Sequence, residues 1–209
     1  MSYAIIDTGG SRSFPEGDAF LQKSAQRADV VVVIGRNVGS AMKNVKAKAV
    51  LLELGTECLG VYTGESRGTE GSNVLGFARF RLGEAPPSNL VELVRQPKTD
   101  PAALAAARAV FEGAGLGVAV CNDFPGRIVD RLLRPYLNAA LRRLDEGLAT
   151  ADDMDTTLRL GLGYPEGPIA LLERTGLAAH FDVAQALYEA LGDPAYAPAR
   201  RARVAKMRT

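Results

Sequence analysis

The first 120 residues alternate short apolar runs with stretches of helical spacing. Apolar runs of this length, bounded by polar residues and glycines, predict buried strands. The predicted strands are residues 3–6, 30–34, 49–54, 74–80 and 116–121. Helical spacing follows in residues 19–28 and 38–47. The clearest helix is predicted at residues 101–113, because Asp100 suits the N-cap and Pro101 the first helical position.

Strands that alternate with helices indicate a mostly parallel sheet covered by helices on both faces. Right-handed crossovers between such strands build Rossmann-like layers. Because the stretch is short for such a domain, we expect a reduced Rossmann-like α/β domain over residues 1–121.

Helical patterns alone continue from Pro125 to the end of the chain, so we expect an all-α domain over residues 122–209. Apolar side chains recur every four residues from Ile128 to Leu148 in two adjacent stripes, which predicts a helix buried over most of its girth. Pro135 interrupts this pattern and predicts a kink or a junction of two helices. Thr150 followed by Asp153 predicts the N-cap of the next helix. Three of its side chains are expected to face inward: Met154, Leu158 and Leu160.

The composition is that of a globular protein, with 47% apolar and 23% charged residues and a net charge of +1. This balance provides no field that would attract nucleic acid or a membrane surface, and we expect the basic tail at residues 200–208 to be a solvated helix end. Cys58 and Cys121 are too few for a disulfide framework and have no histidine at metal-binding spacing, which favours the reducing cytoplasm and predicts no metal site. No apolar run reaches the length of a membrane span, and the first residues lack the pattern of a signal peptide.

Residues 123–138 (DFPGRIVDRLLRPYLN) and 161–168 (GLGYPEGP) carry the most specific motifs of the chain. They resemble the helical C-terminal domain of the 3-hydroxyacyl-CoA dehydrogenases, whose pattern reads D-x-P-G-F-I-V-N-R-L-L-x-P-Y-L-N-E-A and then L-G-x-P-M-G-P. The resemblance implies a helical domain of the kind found at the C-terminus of 6-phosphogluconate dehydrogenase. The chain departs from the pattern at two polar positions, because the family's Phe is Arg127 and its Asn is Asp130.

The first half resembles the same family less closely, through residues 76–80 (GFARF), 90–94 (LVELV) and 97–99 (PKT). The nearest likeness is to the reduced second half of long, two-part bacterial 3-hydroxybutyryl-CoA dehydrogenases. The resemblance implies that the family's catalytic histidine falls on Ala78 or Phe80, neither of which can take a proton from a substrate hydroxyl. It also implies that the carboxylate orienting this histidine falls near Arg36, where the chain has no acid. The chain has one histidine, His180, which we expect to be partly buried or at the surface and not catalytic.

A glycine pair at Gly9 and Gly10 follows the first predicted strand. Dinucleotide binding needs G-x-G-x-x-G at the start of a helix, so that backbone N–H groups can approach the pyrophosphate. Pro15 and Gly17 argue against a helix that starts on these glycines, and Asp29 is the available carboxylate about 20 residues further on. The loop therefore predicts no cofactor-binding residues, and NAD is expected only if the site has been rebuilt.

Arg127 and Asp130 are the candidate substrate-binding residues, and Asp130 is the candidate catalytic residue. Residues three apart on a helix share a face, so a simple ion pair between the two is one interpretation. In the other, Arg127 meets a phosphate or carboxylate at the helix N-terminus and Asp130 acts as a lone base in place of the histidine.

Two hypotheses follow. In the first, the chain is a degenerate accessory member of the family that dimerises through its helical half, or contacts acyl-CoA beside an active dehydrogenase subunit. In the second, it is an active NAD-dependent 3-hydroxyacyl-CoA oxidoreductase. The absent histidine and glycine fingerprint favour the first hypothesis.

Overall fold

The structure is a computed structural model that describes residues 2–43, 45–64 and 72–209 of the 209-residue chain. Its described residues fall into two compact units. The first unit comprises Met1–Arg81 and Pro87–Arg127, and the second comprises Leu82–Pro86 and Ile128–Thr209. We call them the α/β unit and the helical unit.

The α/β unit is built on one six-stranded sheet whose strands are adjacent in chain order. The strands are β1 (Tyr3–Asp7), β2 (Val30–Ile34), β3 (Ala49–Glu53), β4 (Val74–Arg79), β5 (Leu90–Arg95) and β6 (Gly117–Asn122). All neighbouring pairs are parallel except β4 and β5, which are antiparallel. The mostly parallel sheet is confirmed, but β5 is absent from the predicted strands, since Glu92 interrupts its apolar run.

The order of the described strands never reverses along the sheet. Doubly wound sheets reverse their order near the middle, and ligands bind in the crevice that opens at that point. The order of the described strands therefore follows the chain from one edge of the sheet to the other, without such a reversal.

Alternate side chains of the strands form two apolar clusters, one on each face of the sheet. The first cluster includes Phe20 of α1 (Ala19–Gln22) and Phe111 of α4 (Pro101–Gly113). The second includes Val38 of α2 (Val38–Ala41) and Leu59, which precedes α3 (Gly60–Thr63). The predicted cover on both faces is confirmed.

The helices of the α/β unit match the predicted ones unevenly. Helix α4 has the predicted bounds, and Asp100 accepts a hydrogen bond from the backbone N–H of Ala102 at 2.8 Å. Helices α1 and α2 are single turns, much shorter than predicted. After α1, the Ser24 hydroxyl accepts a hydrogen bond from the backbone N–H of Ile5 at 3.0 Å, which ties the chain to β1 instead of continuing the helix.

The helical unit contains no strand among its described residues. Its helices are α5 (Arg127–Asp145), α6 (Ala151–Leu162), α7 (Pro168–Thr175), α8 (Leu177–Leu191) and α9 (Arg200–Met207). Helix α5 is continuous through Pro135, so no junction of two helices lies there. The predicted cap of α6 is confirmed, because the Thr150 hydroxyl accepts from the backbone N–H of Asp153 at 3.1 Å. The basic tail forms α9, and its Arg201 and Lys206 pair with Asp145 and Asp182.

The apolar stripes of α5 and α6 are only partly buried. Leu137 and Leu141 of α5 are buried, but Leu132 is 73% exposed and Leu160 of α6 is 80% exposed. The prediction that α5 is buried over most of its girth holds except along one side, where Ile128, Leu132, Ala139 and Arg143 are exposed, whereas the inward placement of Leu160 was wrong. The described helices are too few to surround α5, and the helical unit consequently presents an apolar face to solvent.

Candidate functional site

Ala78, one of the two positions that the resemblance offers for the catalytic histidine, carries only a methyl group. Ala78 lies on β4, directly opposite Glu92 on the antiparallel strand β5. Both residues are buried, and Glu92 is only 3% exposed. Residues opposite each other on an antiparallel pair point to the same face, so a carboxylate stands beside the place of the histidine. Ala78 can neither donate nor accept a proton, and Phe80 lies just beyond the end of the strand.

Glu92 forms a buried ion pair with Arg127. The Nε atom of Arg127 lies 3.9 Å from Oε2 of Glu92, and each side chain is 4% exposed. A second guanidinium nitrogen donates a hydrogen bond to the carbonyl oxygen of Gly55. The Arg127 atoms Nε and Nη1 have no hydrogen-bond acceptor among the described residues. Arg127 therefore supplies a positive charge beside the buried carboxylate of Glu92.

The backbone at Arg127 explains why its side chain is found there. Arg127 has φ of 49°, and among the described residues it is the one non-glycine residue with positive φ. The preceding Gly126 has φ of 72° and donates a backbone hydrogen bond to Thr56 at 3.0 Å. Left-handed backbone is uncommon outside glycine, so this turn aims the guanidinium away from the face expected of a regular helical residue.

Asp130 has a different partner from the one expected. Arg134, one helical turn further along, donates from Nε to Oδ1 of Asp130 at 2.8 Å. Asp130 is therefore paired within α5, and the ion pair with Arg127, one of the two interpretations of these residues, is not among the described contacts. Asp130 is thus engaged with a guanidinium that is itself buried.

A polar network continues from Asp130 through the interior of the helical unit. Arg134 is 1% exposed, and its Nη1 lies 3.0 Å from Nδ1 of His180. Nε2 of His180 lies 2.9 Å from Oδ1 of Asn138, and the Asn138 amide donates to the carbonyl of Tyr196 at 3.0 Å. Because a guanidinium can only donate, Nδ1 accepts and Nε2 carries the proton. These contacts satisfy both nitrogens of the imidazole.

His180 is fully buried, at 1% exposure, so the expectation of a partly buried or surface position was wrong. Burial, and next the positive charge of Arg134, lower the pKa of His180 to about 3. The imidazole is therefore neutral at physiological pH and acts as a structural hydrogen-bonding group. The sequence carries one signal for this network, the four-residue spacing of Asp130, Arg134 and Asn138, which places the three polar side chains on one face of α5.

Asp123 of the family motif has a structural role in the α/β unit. Its carboxylate accepts from the backbone N–H groups of Leu59 and Gly60 at 2.7 and 2.8 Å, and from the amide of Gln96 at 3.2 Å. It thereby caps the start of α3.

Burial, and next the nearby Glu92 carboxylate, raise the pKa of Cys121 to about 11, with Arg127 acting in the opposite direction. The thiol is protonated at neutral pH and is not a nucleophile.

The loop after β1 surrounds a carboxylate of the same chain. Oε1 of Glu53 accepts from the Ser11 hydroxyl at 3.0 Å and from the backbone N–H groups of Arg12 and Ser13 at 3.0 and 2.7 Å. Oε2 accepts from the backbone N–H of Gly35 at 2.7 Å. We call these four donors the Glu53 nest. Loop N–H groups at this edge of an α/β sheet bind the pyrophosphate in dinucleotide-binding folds, and here they are already bound.

No group of three or more His, Cys, Asp or Glu side chains among the described residues is arranged to hold a metal ion. None of the helices that the structure describes is long and apolar enough to cross a membrane.

Residues 126–207 match the family described as "3-hydroxyacyl-CoA dehydrogenase, C-terminal domain". The chain is 37% identical over 117 residues to 3-hydroxybutyryl-CoA dehydrogenase of Bradyrhizobium diazoefficiens, an alignment that covers 56% of this chain and 40% of the relative. It is 32% identical over 179 residues to mitochondrial hydroxyacyl-coenzyme A dehydrogenase of Sus scrofa, covering 77% and 57%. The chain belongs to the 3-hydroxyacyl-CoA dehydrogenase family, and it spans about half the length of these curated relatives.

Solved structures agree with this assignment. The crystal structure of (S)-3-hydroxybutyryl-CoA dehydrogenase from Ralstonia eutropha superposes with a TM-score of 0.71 at 25% identity, covering 85% of this chain and 64% of the other. That of 3-hydroxybutyryl-CoA dehydrogenase from Escherichia coli has a TM-score of 0.72 at 24% identity, covering 85% and 39%, and shows the shared fold. The six-stranded mixed sheet with its helices thus matches the fold of these dehydrogenases.

Proposed function

We propose that the chain is a degenerate, accessory member of its family that does not itself transfer hydride. The observation that carries this proposal is that neither position offered for the catalytic histidine can move a proton: Phe80 is apolar, and Ala78 faces Glu92, which is paired with Arg127. General base catalysis contributes about 10²–10⁴-fold to such a reaction. The residue expected to supply it is absent, and the nearest buried carboxylate is neutralised by a guanidinium.

The Glu53 nest supports the second part of the proposal, which is that the chain binds no NAD through the loop after β1. A pyrophosphate would have to displace a carboxylate held by four donors of the same unit. Hydride transfer requires the nicotinamide to be held against the substrate carbon. Without a pyrophosphate site in this loop, the described residues provide no means of holding the nicotinamide against a substrate.

We propose that the helical unit is a domain of the type seen at the C-terminus of 6-phosphogluconate dehydrogenase. The boundary between the two domains of the chain is proposed to lie near residues 121–122. The helical unit is also proposed to form a homodimer. Leu132, Leu160 and Leu162 lie exposed on α5 and α6. An obligate interface that covers such a face buries about 2,000 Å² or more in total. Cys58 and Cys121 form no disulfide in the described structure, which fits a reducing, cytoplasmic setting. Partners of such a dimer would be an active dehydrogenase subunit or an acyl-CoA.

The test is an assay of the purified chain with NAD and 3-hydroxybutyryl-CoA, the substrate type in the names of its relatives, alongside isothermal titration with NAD. We expect no turnover at enzymatic rates and no NAD binding. Asp130→Asn, which restores the family's residue, should not produce activity because the histidine is still missing. Turnover that is lost in Asp130→Ala and kept in Glu112→Ala, an exposed control on α4, would instead establish the alternative function, an NAD-dependent 3-hydroxyacyl-CoA oxidoreductase that uses Asp130 as its base.

A further inference from the structure

A cavity of about 290 Å³ opens at the carboxyl ends of β1, β2 and β3 in the α/β unit. Open α/β sheets bind their ligands outside the carboxyl ends of parallel strands. Ligand pockets range from about 300 to 1,000 Å³, so this cavity suits a small molecule rather than a complete dinucleotide. None of the roles proposed above uses it.

Arg12 and Arg36 line this cavity. Both are exposed, and neither side chain has an ion-pair or hydrogen-bond partner in the part of the chain that the structure describes. A Cβ atom added to Gly10 would lie 2.8 Å from Nε of Arg36, so the arginine side chain lies across the bare glycine backbone. The absence of a side chain at Gly10 therefore helps to fix Arg36 beside the cavity.

The carboxylates that line the cavity are bound to other groups. Glu53 is held by the four donors of the Glu53 nest. Oε1 of Glu57 accepts from the backbone N–H of Gly55 and from the Tyr62 hydroxyl, each at 3.0 Å. Neither acid forms an ion pair with the two arginines among the described residues, which leaves both guanidinium groups available to a ligand.

We propose that this cavity binds a small molecule through a carboxylate or phosphate group held by Arg12 and Arg36. The planar guanidinium fork matches the paired oxygens of both anions and binds them through two parallel hydrogen bonds. The carboxylates in the wall repel an anion, so the anionic group must be small enough to reach the two arginines without approaching Glu57 closely. This inference goes beyond the accessory function and stands whether or not the chain transfers hydride.

The experiment titrates the full chain with inorganic phosphate in one arm and malonate in the other, by isothermal calorimetry at low ionic strength. We expect saturable binding at one site for at least one of the anions. Arg12→Gln and Arg36→Gln should each weaken it about tenfold or more, as expected for the loss of a charge-assisted contact. Arg108→Gln is the matched control, since Arg108 is an exposed arginine on α4 paired with Glu112, and it should bind as the wild type does.

Gly10→Ala provides a second variant that changes no charge. Its new Cβ would displace the Arg36 side chain, so binding should weaken while thermal unfolding shows that the protein remains folded. Preference for phosphate identifies a phosphate ester as the ligand class, and preference for malonate identifies a carboxylic acid. The proposal is overturned if neither anion gives saturable binding at millimolar concentration, or if both arginine variants bind like the wild type.

Discussion

Replacing Glu53 should destabilise the α/β unit strongly, because its carboxylate satisfies four donors at once. In Glu53→Ala the backbone N–H of Arg12 can turn to water, since Arg12 is exposed, and the Ser11 hydroxyl can rotate. The N–H groups of Ser13 and Gly35 are left without an acceptor in a buried or half-buried place. Each orphaned group costs about 1–3 kcal/mol. We therefore expect a loss of about 3–5 kcal/mol, a large part of the roughly 5–15 kcal/mol that stabilises a domain.

Glu53→Gln removes the negative charge of the side chain but keeps its size and shape. The amide oxygen can keep the three contacts of Oε1, but its NH₂ group would face the N–H of Gly35, so two donors would oppose each other. We expect a smaller loss, about 1–3 kcal/mol. Because the chain contains no tryptophan, unfolding in urea is best followed by circular dichroism. Glu112→Ala, which removes an exposed partner of Arg108, is the control and should change stability by less than about 1 kcal/mol.

Formate should rescue Glu53→Ala specifically. A small carboxylate that binds the vacated donors raises the midpoint of thermal unfolding in proportion to the logarithm of its concentration. The wild type and Glu112→Ala, in which Glu53 itself fills the nest, should be stabilised less than Glu53→Ala at every formate concentration. The reasoning about the Glu53 nest fails if Glu53→Ala is as stable as the wild type, or if Glu53→Gln is the more damaging change.

Three further predictions concern the other sites. Arg127→Ala should cost about 3–5 kcal/mol in urea unfolding because it removes the cation that faces the buried Glu92 carboxylate, whereas an apolar pair at both positions should recover most of the loss; equal effects of the single and double changes would contradict this. The pKa of His180 is lowered in the folded state to about 3, so the unfolded chain binds a proton first as pH falls below about 6.5. The resulting stability is complete above pH 6.5 and is lost towards pH 3, and His180→Gln should flatten this part of the pH profile relative to the wild type. Leu132→Glu should give a monomer in sedimentation at micromolar concentration, whereas the equally exposed control Val61→Glu should remain a dimer; a monomeric wild type would refute the dimer.

Local signals in the sequence predicted the elements well where a single segment determines them. The cap at Asp100, the cap at Thr150 and the apolar runs of β1 to β4 depend on residues within a few positions of each other. Strand β5 was not predicted because Glu92 interrupts its apolar run. The buried acid is accommodated there by Arg127, which is remote in sequence.

The sites were less predictable because their partners are brought together only by the fold. Glu53 binds backbone groups about forty residues earlier in the chain, and backbone donors leave no trace in the sequence. His180 meets Arg134 and Asn138 across a similar separation. Periodicity indicated which face of α5 is apolar but not whether the chain itself covers that face, so Leu132 was wrongly expected to be buried.

The Glu53 nest has a consequence for how this protein depends on its surroundings. A protein that closes its loops around a diffusible anion becomes less stable when that anion is scarce, because its folding is linked to ligand concentration. A carboxylate attached to the same chain has a fixed effective concentration that dilution cannot lower. The fold of this loop in the α/β unit should consequently be insensitive to the concentration of free anions around the protein.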